Sequence, residues 1–500
     1  MHRILRGPAT TALVLALGVS LTGAAITGGD PSGNSDPDAV SPPADTSTPP
    51  ASGTFVKRVV TTGLNNPYEV VRAPDGSLWA TEKTGKKVTR IDTKSGAKTT
   101  LLSLPQAVHT EGGQDGVLGL AIGERSGTGE VYAYISYSYD VDPGPVVQAR
   151  TKIERYTYDS GRKRLHSPKT VISGMPSGYD HQSARLRLGP DGKLYYTIGD
   201  QGANQFGNYC RPIYAQRLPT AGEVQGRDWV AYRGKTLRLN TDGSIPEDNP
   251  VLAGVRSHVY TYGHRNAQGL AFGPDGTLYQ NEMGPKTDDE INVLRSGGNY
   301  GWPNVSGYQD DKAYVYGNWS ASWPTPCEEL TFSNFEIPET VPVRKESDFT
   351  KPFVEPIRTF GTVESDFDFE DPACRPSGEA AVCWPTIAPS GFEHYGTSRK
   401  AAGATGEGIP GWENSLVMTT LKDGTLYRVD LTDDGRRVSK VTRLLTEQNR
   451  FRDTEFSADG KSVFAITDSA GSIRELGADR APAPDGLENP GAVIEYRLQD

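Results

Sequence analysis

Long stretches of 3.6-residue apolar periodicity are missing from this 500-residue chain, so little of it can be helix. Cysteine occurs only four times, at Cys210, Cys327, Cys374 and Cys383, and histidine only seven. No CxxCH is present, which excludes a covalently attached c-type haem, and no cysteine spacing suits zinc. HExxH and GxSxG are absent, and no GxGxxG joins a strand to a helix, which speaks against zincin, α/β-hydrolase and nicotinamide chemistry. Two GK[ST] tripeptides, Gly234–Lys235–Thr236 and Gly460–Lys461–Ser462, lack the upstream glycine of a phosphate loop. Surplus positive charge is lacking too. The formal net charge of −10 disfavours nucleic acid and anionic membrane as main partners.

The single long apolar run lies at the N-terminus. Arg3 and Arg6 precede an almost uncharged stretch, Thr10–Ile26, with small residues around Gly23–Ala25. That layout is expected of a secretory signal peptide over residues 1–29, a retained membrane anchor being the competing reading. No cysteine follows the run to carry a lipid, and no second apolar stretch is long enough to span a bilayer, so an exported protein is expected. Residues 30–53 are dominated by Pro, Ser, Thr, Asp, Gly and Ala, cannot bury apolar surface, and read as a disordered linker. One folded domain is expected over 54–500. In an exported chain an even cysteine count suggests disulfides. Cys374 and Cys383 flank a short loop and are the expected pair; pairing of Cys210 with Cys327 stays open.

What the chain does have is repetition. APDGSLWATE (73–82), GPDGKLYYTIGD (189–200), GPDGTLYQNE (273–282), LKDGTLYRVD (421–430) and SADGKSVFAITD (457–468) are variants of one unit. In each, Asp-Gly closes a tight turn and an alternating strand follows. Repeated short hairpins over such a length, with 57 glycines and 36 prolines, are the mark of an all-β propeller. The interval from Asp191 to Asp275 leaves room for two four-stranded blades of roughly 40 residues each. The interval from Asp275 to Asp423 is too long for regular blades alone, and its Pro-, Gly- and acid-rich part between Trp302 and Trp384 reads as long loops on a ligand-binding face.

Three clusters could carry chemistry. His181, in YDHQSARL, lies on a polar loop beside Asp180, and Asp200 ends the next hairpin in TIGDQG. A neutral histidine oriented by a carboxylate is a good general base near neutral pH. Taken alone, these residues also fit a histidine that merely ties two loops together. Arg450 and Arg452, in QNRFRD, project from one face of a strand, where two guanidiniums repel unless an anion sits between them. Internal salt bridging is the plainer account of them, and Lys422 and Arg265–Asn266 are further polar loop residues. EMGPKTDDEIN (282–292) and NYGWPNVSGYQDD (299–311) offer backbone carbonyls on the Gly284–Pro285 turn together with Asp288, Asp289, Glu290, Asp310 and Asp311. Those are hard oxygen donors for calcium, although an acidic solvated loop fits them as well.

Eight stretches in joint order resemble the soluble quinoprotein branch of the glucose/sorbosone dehydrogenase family. They are GQDGVLGLA (113–121), YDHQSARLRLGPDGKLYYTIGDQG (179–202), GHRNAQGLAF (263–272), MGPKTDDEIN (283–292), GGNYGWPNV (297–305), CWPTIAPS (383–390), GWEN (411–414) and NRFRD (449–453). The resemblance runs from about Thr61 to the C-terminus. It implies a six-bladed β-propeller with long loops on the active-site face, binding pyrroloquinoline quinone (PQQ) and calcium and oxidising aldoses at C1 to lactones. It further implies His181 as general base, Asp200 as its orienting carboxylate and Arg265 beside the reacting carbonyl. Gln114, Asp180 and Gln205 would then surround the sugar. Arg265, Asn266, Trp384, Thr386, Lys422, Arg450 and Arg452 would contact the cofactor, and the carbonyls of Gly284 and Pro285 would hold its calcium. Glu290, Tyr300, Ser306, Tyr308, Asp310 and Glu346 match a second calcium region, tied in the family to structure and a homodimer interface. A soluble electron acceptor completes the implied partners.

The chain departs from the glucose enzyme's pattern on the substrate side. The loop CRPSGEAAVC (374–383) is longer and holds Ala381 where an aromatic would face the sugar, and FGNYC follows Gln205. Glucose preference therefore does not transfer. Two other classes compete: a calcium-dependent hydrolytic propeller of lactonase type, and a non-catalytic extracellular binding propeller. The first would need no Arg-x-Arg cradle, and the second should have lost His181 or the cofactor cations.

Overall fold

The computed structural model describes residues 54–125, 127–142, 144–370, 380–401, 403, 408–475, 483 and 486–499. The expected signal peptide, the linker and Cys374 lie outside them. Among the described residues, six four-stranded antiparallel sheets form the blades of a propeller. Helix is confined to short pieces such as Ala221–Gly226 and Tyr395–Ala401, and no helix is long and apolar enough to cross a membrane.

The innermost strands of blades one to six are Pro67–Arg72, Val117–Arg125, Ser183–Leu188, Ala267–Phe272, Pro389–His394 and Phe451–Phe456. Each packs against the next, and the sixth returns to the first. The ring closes through chain ends. Phe55–Thr61 pairs with Val493–Leu498 as the outer strand of blade six, so the first described strand is held by the last. The apolar core lies between neighbouring blades, as where Tyr68, Leu118, Leu186 and Tyr196 are buried together. The channel wall is ionic instead. Arg185 reaches Asp453 at 2.7 Å and Arg187 reaches Glu69 at 3.0 Å, all on innermost strands.

The repeated Asp-Gly turns build equivalent corners. Asp75, Asp191, Asp275 and Asp459 each accept a hydrogen bond from the backbone N–H two residues on, at 2.9–3.1 Å. Each turn joins the first and second strands of its blade, in blades one, three, four and six. Two expectations change here. Asp191 and Asp275 occupy the same corner of adjacent blades, so the interval between them holds one blade, not two. It is long because blade three carries residues 199–234 between its second and third strands. Asp423–Gly424, in contrast, joins the second and third strands of blade five and is not an equivalent corner.

The excess length of blade four lies mainly between its third strand, Asp289–Leu294, and its fourth, Arg358–Phe360. A disulfide between Cys210 and Cys327, with Cα atoms 5.6 Å apart, ties this insertion to that of blade three. Cys383 is also disulfide-bonded.

Candidate functional site

The second strand of four blades ends in an acid or is followed by one within two residues, at Glu82, Asp200, Glu282 and Asp468, the last positions of four of the repeated segments. Three of these acids hold a cation or a histidine at the same end of the channel. Asp200 accepts from His181 Nδ1 at 2.6 Å and from the Trp302 indole N–H at 2.8 Å. Glu282 engages His264 Nδ1 at 2.9 Å and caps the backbone N–H of Arg265. Asp468 lies between two guanidiniums, 2.7 Å from Arg452 and 3.2 Å from Arg450.

His181 is buried and sits at φ 43°, in the left-handed region that ordinary side chains rarely adopt. The loop can hug it because residue 199 is glycine; a Cβ there would lie 2.0 Å from the His181 carbonyl oxygen. Since Asp200 only accepts, the histidine carries its proton on Nδ1 and leaves Nε2 with a lone pair. Nε2 lies 3.1 Å from Gln205 Nε2. The orientation of that amide is fixed by its other partners: its oxygen accepts from Arg265 at 3.0 Å and its nitrogen donates to Asp180 at 2.7 Å. Gln114 donates to the other Asp180 oxygen, also at 2.7 Å. Gln114, Asp180, His181, Asp200, Gln205 and Arg265 therefore form one connected network. Arg265 continues it to the carbonyls of Met283, at 3.0 Å, and Gly284, at 2.7 Å, and stacks over Trp302.

This network faces a cavity of about 410 Å³, lined also by Asn266, Pro285, Trp384, Thr386, Lys422 and Arg450. Lys422 is buried, and its amine donates to the carbonyls of Ala381 and Trp384, both at 3.0 Å, and to the Thr386 hydroxyl. Burial, reinforced by the Arg474 guanidinium, pulls its pKa well below the ordinary lysine range. Asp289 opposes this but spends its carboxylate on the backbone N–H groups of Gly284, Ile387 and Ala388, fixing the Gly284–Pro285 turn against the start of blade five. Arg452 and Lys83 line an adjoining hollow with Arg450 and Asp468. Asn266 accepts from Ser183 at 3.1 Å and Gln268 at 2.7 Å. Two buried donors on residues that line this cavity, Arg265 Nε and Trp384 Nε1, have no hydrogen-bond partner.

The residues of the second calcium region are less convergent. Glu290 accepts from Gly307 N at 2.6 Å, and Glu346 accepts from Ser306 N at 2.9 Å and from the amides of Asp310 and Asp311. Tyr308 is half-buried near Glu290. The Tyr300 hydroxyl is committed to Val293 O and Arg295 N, and its ring stacks on His264. Burial pushes Glu346 up to about 7 and Asp288 to about 6, with mutual repulsion from Asp310 adding to both. Among the described residues no three His, Cys, Asp or Glu side chains converge on a metal position.

Trp302, Asp468 and Arg474 belong to the site although the residue types alone did not mark them, and Asp289, read as an oxygen donor for calcium, holds backbone N–H groups instead. Trp302 lies inside the motif GGNYGWPNV, and Asp468 occupies the place in its repeat that Asp200 has in another. Arg474 lies outside every repeated unit and carried no signal.

Known proteins resemble this chain over most of its length. The chain is 42% identical over 450 residues to quinoprotein glucose dehydrogenase B of Acinetobacter calcoaceticus, covering 89% of this chain and 91% of that one. It is 25% identical over 433 residues to an aldose sugar dehydrogenase of Escherichia coli (strain K12), covering 85% and 94%. The PQQ-bound form of an aldose sugar dehydrogenase from Streptomyces coelicolor superposes with a TM-score of 0.56 at 25% identity, over 90% of this chain and all of that one. The family model described as glucose/sorbosone dehydrogenase matches residues 64–321 and 360–475, most of the propeller, and the chain belongs to that family.

Proposed function

We propose that this chain is an exported, calcium-dependent PQQ enzyme that oxidises the C1 hydroxyl of aldoses to lactones and passes electrons to a soluble acceptor. The observation that carries the reading is His181, held by Asp200 through Nδ1, lining a cavity that Arg265, Lys422 and Arg450 also line. PQQ has three carboxylates. The buried amine of Lys422, the guanidiniums of Arg450 and Arg452, and the unpartnered Trp384 Nε1 suit such an anion, with Asn266 and Thr386 as further polar contacts. The Gly284 carbonyl lies at the cavity and already accepts from Arg265, and with that of Pro285 it would offer hard oxygens to calcium.

Bound together, cofactor and calcium would supply an electrophilic two-electron acceptor for hydride from sugar C1. The protein's own residues do the rest. A sugar hydroxyl replacing the Gln205 amide at His181 Nε2 gives up its proton there, and Asp200 stabilises the imidazolium that forms. Arg265 keeps a fixed positive charge on the opposite side, held by two carbonyls and the Trp302 face, where negative charge develops. Gln114, Asp180 and Gln205 offer both donors and acceptors to the sugar rim. The hydrolytic alternative gains nothing from the channel centre, where Glu69 and Asp453 are spent on Arg185 and Arg187. A second, structural calcium and a homodimer contact at Glu290 and Glu346 are proposed on the family resemblance, although both carboxylates here accept from backbone N–H groups.

Purified apoprotein should oxidise no aldose in a dye-linked assay, gain activity on addition of PQQ with calcium, and lose it to a chelator. Oxidation driven by NAD alone, indifferent to PQQ, would overturn the assignment.

A further inference from the structure

Blade three carries a concentration of positive charge that the proposed reaction does not use. Its insertion supplies Arg211, Tyr214 and Arg217, and the turn into its third strand supplies Arg233. Two guanidiniums lie over the Tyr214 ring, Arg217 at 5.1 Å and Arg233 at 5.6 Å from its centre. Lys235, fully buried, donates to the carbonyls of Tyr214 and Ala215, both at 2.9 Å, and of Arg233 at 2.8 Å. Its amine is thereby spent on bracing the cluster and is not offered to a ligand. Burial pulls Arg233 below the ordinary arginine range, and the charges of Arg211, Arg150 and Arg217 add to this. Arg150 comes from the third strand of blade two, and it and Arg211 are exposed. Of these four arginines only Arg217 has a carboxylate partner among the described residues, Glu223. Arg233 Nε is buried and has no hydrogen-bond partner.

We propose that this cluster is a binding site for a tetrahedral oxyanion of the phosphate or sulfate class, held by Arg211, Arg217 and Arg233 with the Arg150 charge alongside. A chain of formal net charge −10 has carboxylates to spare, yet it gathers four guanidiniums here around one. Like charges so placed repel, and an anion between them relieves the repulsion. Guanidinium is the group suited to it, because its planar fork matches oxyanion geometry and stays charged. The Tyr214 ring holds two of the forks and the Lys235 braces fix the backbone beneath them, so little ordering has to be done on binding. The site also adjoins the catalytic network through the main chain. Arg233 leads into Gly234, whose N–H donates to the Gly199 carbonyl at 3.0 Å and whose carbonyl accepts from His264 N at 3.2 Å. Gly199 and His264 immediately precede Asp200 and Arg265. An oxyanion fixed at Arg233 therefore braces the backbone from which both catalytic side chains project, and it should stabilise the fold by mass action.

Calorimetric titration with sodium sulfate tests this, on protein loaded with PQQ and calcium so that Lys422, Arg450 and Arg452 do not compete for the probe. Sulfate should bind one-to-one and raise the melting temperature above that in sodium chloride of equal ionic strength. Arg233→Gln should raise the sulfate dissociation constant at least about tenfold, the loss expected for one charge-assisted hydrogen bond. Arg211→Gln, at an exposed position where unfolding is not at issue, should weaken sulfate severalfold. Inorganic phosphate should displace sulfate from the wild type. Flotation with phosphatidylglycerol or phosphatidylcholine vesicles separates the two sources of such a group. Capture by phosphatidylglycerol alone, lost in both variants, assigns a lipid phosphodiester, and sulfate binding without capture assigns the free ion. No sulfate binding beyond the chloride control, or binding that is unchanged in both variants, would overturn the site.

Discussion

Replacing His181 with alanine should lower kcat by at least ~100-fold, the lower end of what a positioned general base contributes. PQQ affinity should change little, because the imidazole bonds to Asp200 and Gln205 and not to Lys422, Arg450 or Arg452. The substitution is also informative about strain. Residue 181 sits at φ 43° between the buried walls of the site, and alanine tolerates that conformation no better than histidine. A drop in thermal stability without a drop in kcat would therefore mark His181 as a structural tie between two loops. Asp200→Asn separates orientation from basicity. An asparagine amide can offer its N–H to Nδ1 and force the opposite tautomer, so kcat should fall while KM for the sugar stays near wild type. A kcat within a few-fold of wild type in His181→Ala would remove the base from the mechanism.

The fold class was legible because it is written in one repeated segment, whereas the candidate site residues came mainly from the resemblance carried by eight motifs. The segment's Asp-Gly turn marks the inner corner of a blade, and its closing acid, as Asp200, Glu282 or Asp468, marks the rim where histidine or arginine is held. Blade spacing was not legible from the same repeat. The insertions after Ile198 and Leu294 lengthen two blades, and the Asp423–Gly424 turn copies the motif at a different corner. Cys210–Cys327 could only be left open, since its partners lie on different insertions with a sequence separation of 117. Nothing local brings such residues together; the adjacency of blades three and four does. Arg474 shows the same limit at the site. It reaches the carbonyls of Val382, Trp384 and Thr386 from a segment after the last repeat, and only the circular order of the blades puts it behind Lys422.

Lys422→Met should raise the dissociation constant for PQQ by roughly 30- to 4,000-fold, the range for deleting one member of a buried, hydrogen-bonded charge pair. The argument starts from the partners the amine now has. Two carbonyls and a hydroxyl satisfy its donors but not its charge, and burial with Arg474 close by pulls its pKa far down. A carboxylate arriving beside it stabilises the ammonium and raises that pKa. Above the free amine's pKa, then, binding takes up a proton and affinity falls as pH rises. Lys83, pushed down to about 8 by burial and by Arg452, acts in the same direction in the adjoining hollow. The expected result is tighter PQQ binding at mildly acid than at alkaline pH, read by titration of cofactor absorbance. In Lys422→Met the dependence should flatten while the protein keeps its circular dichroism, since methionine fills the space of the lysine stem without its charge. Equal affinity and equal pH dependence in wild type and variant would place the cofactor's carboxylates elsewhere, leaving Lys422 as a brace between Ala381, Trp384 and Thr386.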